Sequence, residues 1–437
     1  MSGSNYRNYT KIIIALSVIA WFSLSLYVGL RHNKGRPLND YHRELRADKS
    51  GYNVYLPALF IYNFEASAMP DSIEEKIGYG FRIDKEKNKI ITKYPYGVAL
   101  LQLPFWAVAH TLAPVKDGYS SVEYFEALDW SASFYFALGL LFVYLCARLF
   151  FSNFPLVFGA VFVILPLSTN LFYYATYDGG MSHIYSFFTI AAFMYFFVRW
   201  VRNQNERSFF ISILFFALSL SIRPVNFIFL WVLFFMDCND MGSIKTRLRF
   251  LLIPKRVLTI IALIFLFLIP QLAYNFYASG TLTLSLYDDE SFIYFFAQKA
   301  PEVLFAPKNG VFNYMPVFIL ILAGIFILIK RKLFFGYSAA YIFIVYVLFY
   351  ASWWSYYLGC GFGHRGLVDF YPVFIFPIIA LFNELQKHRI LFALCSLFLI
   401  ACMVVTTKMG HAFDCCYYGK GDWDWGWYFA QLKNVFR

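Results

Sequence analysis

Apolar positions in this chain run in long blocks instead of short alternations. Blocks of near-helical length cover 11–30, 125–145, 155–175, 184–201, 209–222, 225–236, 257–276, 311–329, 335–350, 370–382 and 391–405. At ~20 residues per membrane crossing these make about eleven candidate spans, several of them short or interrupted by proline. The pattern predicts an all-α polytopic membrane protein. The first block follows Arg7 and Lys11 and leads into no small-residue cleavage site, so it reads as a retained anchor and not as a removed signal peptide.

One long stretch near the start, 31–124, is not a span. Within it 52–64 and 98–112 are apolar, aromatic and broken by proline, which predicts helices lying at the membrane interface. Between them, 79–93 alternates apolar and polar residues around 85–88, as a small hairpin would. The expected organisation is an amino-terminal anchor over 1–30, a first external loop over 31–124, a helical bundle over 125–406 and a tail over 407–437. Basic residues fix the orientation. Arg199, Arg202 and Arg207 fall with Lys245, Arg247, Arg249, Lys255 and Arg256, then with Lys330 to Lys332 and with Lys387, His388 and Arg389. By the positive-inside rule that side is cytoplasmic, which puts the amino terminus inside and the carboxyl terminus outside. Four segments then share the outer face: 31–124, 176–183, 277–316, and 353–371 with the tail from Lys408.

Composition narrows the class further. Residues of hydrophobic type make up 60% of the chain and charged ones 14%, against roughly half and a quarter in soluble domains. That excludes most soluble enzymes, disordered chains and nucleic-acid-binding modules. The net charge of +11 reports cytoplasmic loops and not a polyanion partner. The seven cysteines show no metal-ligand spacing: Cys146, Cys395 and Cys402 lie in apolar blocks, Cys238 and Cys360 are isolated, and Cys415 and Cys416 are adjacent. Aromatic residues at 22% suit interfacial belts and, less specifically, sugar-stacking surfaces.

Charges close to the membrane are costly and therefore informative. The run from Asp40 to Tyr52 follows the first span and leads towards Tyr55, and a carboxylate in it faces both headgroups and water. Asp48 is the first choice there for taking a proton from a hydroxyl, with Glu44 and Asp40 as substitutes. Thr176 to His183 is a tight turn in which Gly179 and Gly180 would allow close backbone approach, while Asp178 or His183 could bind a polar substrate or a cation. A Gly-Gly turn with Ser182 capping a helix explains the same residues more plainly. Arg223, before Pro224, interrupts an apolar block on the outer face. Lys308, and His364 with Arg365, do the same on other connections. A snorkelling cation accounts for each alone, whereas together they fit a membrane-bound phosphate.

This layout resembles the C-type glycosyltransferases, polytopic enzymes that use polyprenyl-phosphate sugars and include the protein O-mannosyltransferases and lipid A aminoarabinose transferases. The likeness covers nearly the whole chain: an anchor, a large external loop with an acidic residue near its start and two interfacial helices, then a many-span bundle. The closest local counterparts are Ala47-Asp48-Lys49-Ser50-Gly51-Tyr52, Lys93-Tyr94-Pro95-Tyr96-Gly97, Arg223-Pro224, and Gly363-His364-Arg365 with Asp369, Tyr371 and Pro372. The family often has a double acidic pair where Asp48 is followed by Lys49. More specifically, the chain resembles uncharacterised bacterial members, which leaves sugar and acceptor open.

The resemblance implies an inner-membrane enzyme of the cell envelope, working at the periplasmic face. It would move a hexosyl or pentosyl group with inversion from a polyprenyl-phosphate donor to a lipid-linked glycan, lipid or protein acceptor. Asp48 would be the general base. Glu44, Tyr52, Tyr55, Asp178, His183, Arg223, Lys308, His364 and Arg365 would bind the substrates. Membrane lipids are implied as partners and nucleic acid is not. No cofactor is required, although Asp48 and Asp178 could hold a divalent cation if the fold brings them together. A transporter or flippase is the main alternative, and it should show paired polar residues in mid-span and half-to-half symmetry. The blocks are mostly clean and no repeat is evident. A non-catalytic assembly subunit is the other alternative.

Overall fold

The computed structural model describes residues 3–238, 240–287, 290–413 and 416–436. The fold is all-α and polytopic, because in a lipid environment a helix satisfies its own backbone donors and acceptors. Among the described residues seven helices are long and apolar enough to cross a membrane: Asn8–Asn33, Val122–Phe150, Ser182–Asn203, Pro254–Ser279, Phe335–Ser352, Arg365–Leu385 and Arg389–Ala412. The remaining apolar blocks are also helical but shorter or broken. Phe154–Gly159 passes through a π-helical turn, Ala160–Ile164, into Leu165–Ser168, and an extended Thr169 separates it from Leu171–Thr176. Glu206–Ile222 stops at Arg223, which is extended because it precedes Pro224. The chain restarts there as a 3₁₀ turn, Pro224–Phe229, before Leu230–Phe235. Phe318–Lys330 is likewise short. Proline and local unwinding therefore account for the difference between the eleven or so blocks and the seven full-length helices.

Two apolar cores hold the molecule. The larger lies among the bundle helices around Phe136, Tyr174, Phe187, Phe193, Trp200 and Phe374. The smaller belongs to the 31–124 segment, where Leu45, Tyr55, Leu56, Trp106 and Ala109 pack with Tyr124, Phe125 and Tyr274. Here 52–64 is resolved into two short helices, Asp48–Asn53 and Tyr55–Phe60, and Gly97–Leu112 is one helix with Val98, Gln102 and Trp106 buried. An antiparallel hairpin pairs Arg82–Asp84 with Lys89–Ile91. A buried polar chain ties this segment to the bundle: Asn53 donates to Gln102, Gln102 donates to Tyr185, and Tyr185 meets Ser131.

Charge is segregated along the molecule. The basic connections are satisfied among themselves, Arg202 with Asp237 and Arg256 with Glu206, and Arg331 with Glu384. A second group of contacts joins segments distant in sequence. Asp48 meets Arg365, Glu44 meets Gly180, Lys93 meets Glu290, and Lys308 meets Asp422. A disulfide, Cys360 to Cys416, fastens the 353–371 connection to the tail. Cys360 is isolated along the sequence and Cys416 adjoins Cys415, so no spacing marks this pairing. Cys415 lies outside the described residues.

Candidate functional site

Asp48 opens the short helix Asp48–Asn53, and the residue before it sets its position. Ala47 has φ 50° and ψ −133°, a conformation that L side chains rarely adopt. Its amide donates to the Ile77 carbonyl at 2.8 Å, and its own carbonyl accepts from the Ser50 amide at 3.0 Å. A bent backbone pinned at both ends thus directs the carboxylate. Asp48 Oδ1 accepts from the Tyr94 hydroxyl at 2.6 Å and Oδ2 from Arg365 Nη2 at 3.1 Å. Burial raises the affinity of this carboxyl for a proton. The Arg365 charge, the Tyr94 hydroxyl and the Lys93 charge together outweigh it and hold the pKa below the usual carboxylate value. Asp48 is therefore an ionised acceptor at neutral pH. With 37% of its side chain exposed, it is also reachable.

A cavity of about 170 Å³ lies on the open side of this pair, lined among others by Tyr41, Arg46, Asp48, Lys49, Asp178 and Arg365. Of the residues expected at the site, the fold brings Asp48, Asp178 and Arg365 to this one cavity. Lys49, the residue after Asp48, reaches under it. Its ammonium lies 3.1 Å from Asp178 Oδ1 and 3.7 Å from Glu44 Oε2. Glu44 is fully buried, accepts from the Gly180 amide at 2.8 Å, and has its pKa raised, chiefly by burial. The glycines of the 176–183 turn serve this contact: a Cβ on Gly180 would sit 2.6 Å from the Glu44 carbonyl oxygen and 3.0 Å from the Lys49 Cβ. Ser182 caps no helix, since its hydroxyl donates to the Tyr52 hydroxyl at 3.1 Å.

A second cluster sits deeper. Arg223 Nη1 lies 3.3 Å from Asp369 Oδ2, Nη2 donates to the Tyr350 hydroxyl at 2.9 Å, and the same guanidinium contacts the His183 ring. His183 is also 3.2 Å from Asp369 Oδ1. Asp369 and His183 are buried, and 16% of the Arg223 side chain is exposed. The two clusters are joined by one turn, which carries Asp178 at the cavity and His183 at the deeper cluster. Tyr52 packs on Tyr94 with ring centroids 4.5 Å apart, and Tyr287 and Trp353 continue the aromatic wall.

Four expected residues stand elsewhere. Lys308 pairs with Asp422 of the tail at 3.2 Å and lies over the Tyr357 ring. His364 is buried with both ring nitrogens occupied, by the Tyr346 hydroxyl and by the Tyr356 carbonyl. The Tyr55 hydroxyl donates to the Tyr94 carbonyl at 2.6 Å and so supports the site from behind. Asp40 pairs with Arg36 and His42. For a metal, Asp48 and Asp178 share the cavity, but each is matched to a different cation, Arg365 or Lys49. Among the described residues no group of three or more His, Cys, Asp or Glu could hold an ion.

No protein-family model matches the chain. No curated protein matches it either. Among solved structures, the fold is similar to the oligosaccharyltransferase of Archaeoglobus fulgidus in its apo form, with 15% sequence identity and a TM-score of 0.45. The alignment covers 95% of this chain and 56% of that one, so the chain spans little more than half of that structure's length.

Tyr94 and Arg46 also reach the site, and Asp369 reaches its supporting cluster. Tyr94 and Asp369 lie in 93–97 and 363–372, two of the segments that carry the resemblance. No local pattern shows that Tyr94 folds back onto Asp48 across 46 residues. Arg46 carries no distinguishing pattern.

Proposed function

We propose that this chain is a membrane-embedded glycosyltransferase of the C-type that moves a sugar from a polyprenyl-phosphate donor to an acceptor hydroxyl with inversion. The observation that carries this reading is the ionised, partly open Asp48 held by Arg365 and Tyr94 at the wall of a polar cavity. The acceptor oxygen attacks the anomeric carbon while the bond from that carbon to the phosphate oxygen breaks. The acceptor's proton passes to Asp48, and the polyprenyl phosphate departs with the electron pair. Arg365 is the group best placed to receive its negative charge. A phosphate that draws Arg365 away from Asp48 also removes the main influence lowering the Asp48 pKa, so donor binding makes the base stronger. Arg223, committed to Asp369 and Tyr350, serves the same region from behind. The aromatic wall of Tyr52, Tyr94 and Tyr287 offers faces for the sugar.

Orientation is part of the proposal. Disulfides persist in oxidising compartments, so the Cys360 to Cys416 bond supports a periplasmic location for the tail, for the Arg365 connection and for the cavity between them.

Replacing Asp48 by Asn keeps the size and removes the basic oxygen. Transfer of a labelled sugar from a polyprenyl-phosphate donor should fall by about 10²–10⁴-fold, with donor binding largely retained. Near wild-type transfer by Asp48→Asn would remove Asp48 from the mechanism.

A further inference from the structure

Lys49 is almost completely buried, beside Asp48 in sequence and under the same cavity. Its ammonium lies between two carboxylates from separate parts of the chain, Glu44 before the short helix and Asp178 in the turn between two bundle helices. Glu44 has no exposed surface, and its Oε1 has no hydrogen-bond partner. A carboxylate as buried as Glu44 is unfavourable unless a cation sits with it, because a buried charge without its partner is left uncompensated. The arrangement also has a mechanical result. Asp48 precedes Lys49 directly, so whatever holds the Lys49 side chain to the 176–183 turn also holds the turn that aims Asp48.

Resting on the reading above for the role of Asp48, we propose that Lys49 is a built-in cation. It joins Glu44 to Asp178, as a divalent ion bound to the same carboxylates would, and it thereby positions Asp48. Lysine suits this role because its charge is compact and its donors can turn to several acceptors. Hard oxygen donors are the ligands that magnesium, manganese and calcium take. Without the ammonium, Glu44 and Asp178 form a cation site whose remaining positions are filled by water from the adjoining cavity. Lys49 is a positioning residue here, since it touches the carboxylates and not the reacting atoms.

The test uses the full-length protein in detergent and Mn²⁺ as the probe. Wild type, Lys49→Ala and the double variant Lys49→Ala/Asp178→Asn are each melted in EDTA and across a MnCl₂ series, and bound Mn²⁺ is counted by electron paramagnetic resonance. Lys49→Ala should melt lower than wild type in EDTA, regain stability progressively with Mn²⁺ and bind one ion per chain. Wild type and the double variant should not respond. A Lys49→Ala protein indifferent to Mn²⁺, or a wild type that binds the ion at these carboxylates, would overturn the proposal. If Lys49→Ala cannot be purified, it is expressed with and without manganese. Recovery only with manganese supports the proposal, and failure in both media refutes it. None of these readouts needs sugar transfer, so a negative result here leaves the Asp48 assignment untouched, and loss of that assignment leaves this result standing.

Discussion

Arg223 and Arg365 are the same side chain held in two different ways. The Arg223 fork is divided between buried Asp369, the Tyr350 hydroxyl and His183. Arg365 pairs with a partly open carboxylate and, among the described residues, otherwise donates to the Cys360 carbonyl at 3.4 Å. An arginine with a buried counter-ion leaves an uncompensated charge behind when it is removed, whereas one facing a cavity leaves room for a ligand. Arg365→Ala should therefore weaken binding of a polyprenyl-phosphate sugar about tenfold or more, with Lys rescuing only in part because it lacks the planar fork. Arg223→Ala should chiefly lower the melting temperature. The pH profile separates them further. Arg365 is the strongest of the charges that lower the Asp48 pKa, so its loss lets that pKa rise and moves the acid limb of transfer to higher pH. In Arg223→Ala the limb should stay near its wild-type position. Equal loss of donor affinity in both variants, with no movement of either limb, would assign both arginines to the donor and none to the tuning of Asp48.

At the scale of elements, the decisive piece is the connection between Phe334–Ser352 and Tyr371–Leu385. Leu358, Gly359, Gly361 and Gly363 all have positive φ, so this stretch is coiled tightly and carries little regular hydrogen bonding of its own. Its position depends on outside fixings. Asn309 donates to the carbonyls of Tyr357 and Gly359, each at 3.0 Å, and the disulfide joins Cys360 to the tail. Gly361 lies against Tyr174, where a Cβ would come within 2.5 Å of the hydroxyl. Removing a native disulfide commonly costs about 2–5 kcal/mol in small secreted domains. Cys360→Ser should lower the melting temperature and also weaken donor binding, because Arg365 follows this stretch directly. Reducing the wild-type protein should reproduce both effects, and donor affinity unchanged under reduction would show that Arg365 is held by the 3₁₀ turn Arg365–Phe370 alone.

For the whole molecule, the cavity is assembled from chain segments that never approach one another in sequence: the run before Asp48–Asn53, the turn before Ser182–Asn203, and the connection before Arg365–Phe370. They can share a cavity only if their helices enter the bundle from the same side. The expected orientation puts that side outside the cytoplasm. A cysteine introduced at Lys420 should therefore react with an impermeant thiol reagent in intact cells, while one at Lys332 should react only after lysis. The reverse pattern would place Asp48 in the cytoplasm, against a donor presented on the other face.

Much of this architecture was legible from the order of residues. Long apolar blocks specify helices because a buried backbone must satisfy itself, while segregated lysines and arginines give an expected orientation because each charge is costly to move across lipid. Asp48, Asp178, Arg223 and Arg365 could be selected for a related reason, since an ionised group beside a membrane needs a partner. Sequence could not say which partner. Asp48 finds Arg365 across 317 residues and Tyr94 across 46, while Lys308, equally conspicuous, finds Asp422 in the tail and leaves the site. Proximity between distant segments is set by how helices pack, and the apolar pattern that drives packing carries no information about which polar ends will meet. The same holds for Lys49, which along the chain is only the basic residue after Asp48. Only the folded arrangement of Glu44 and Asp178 around it makes it their shared counter-ion.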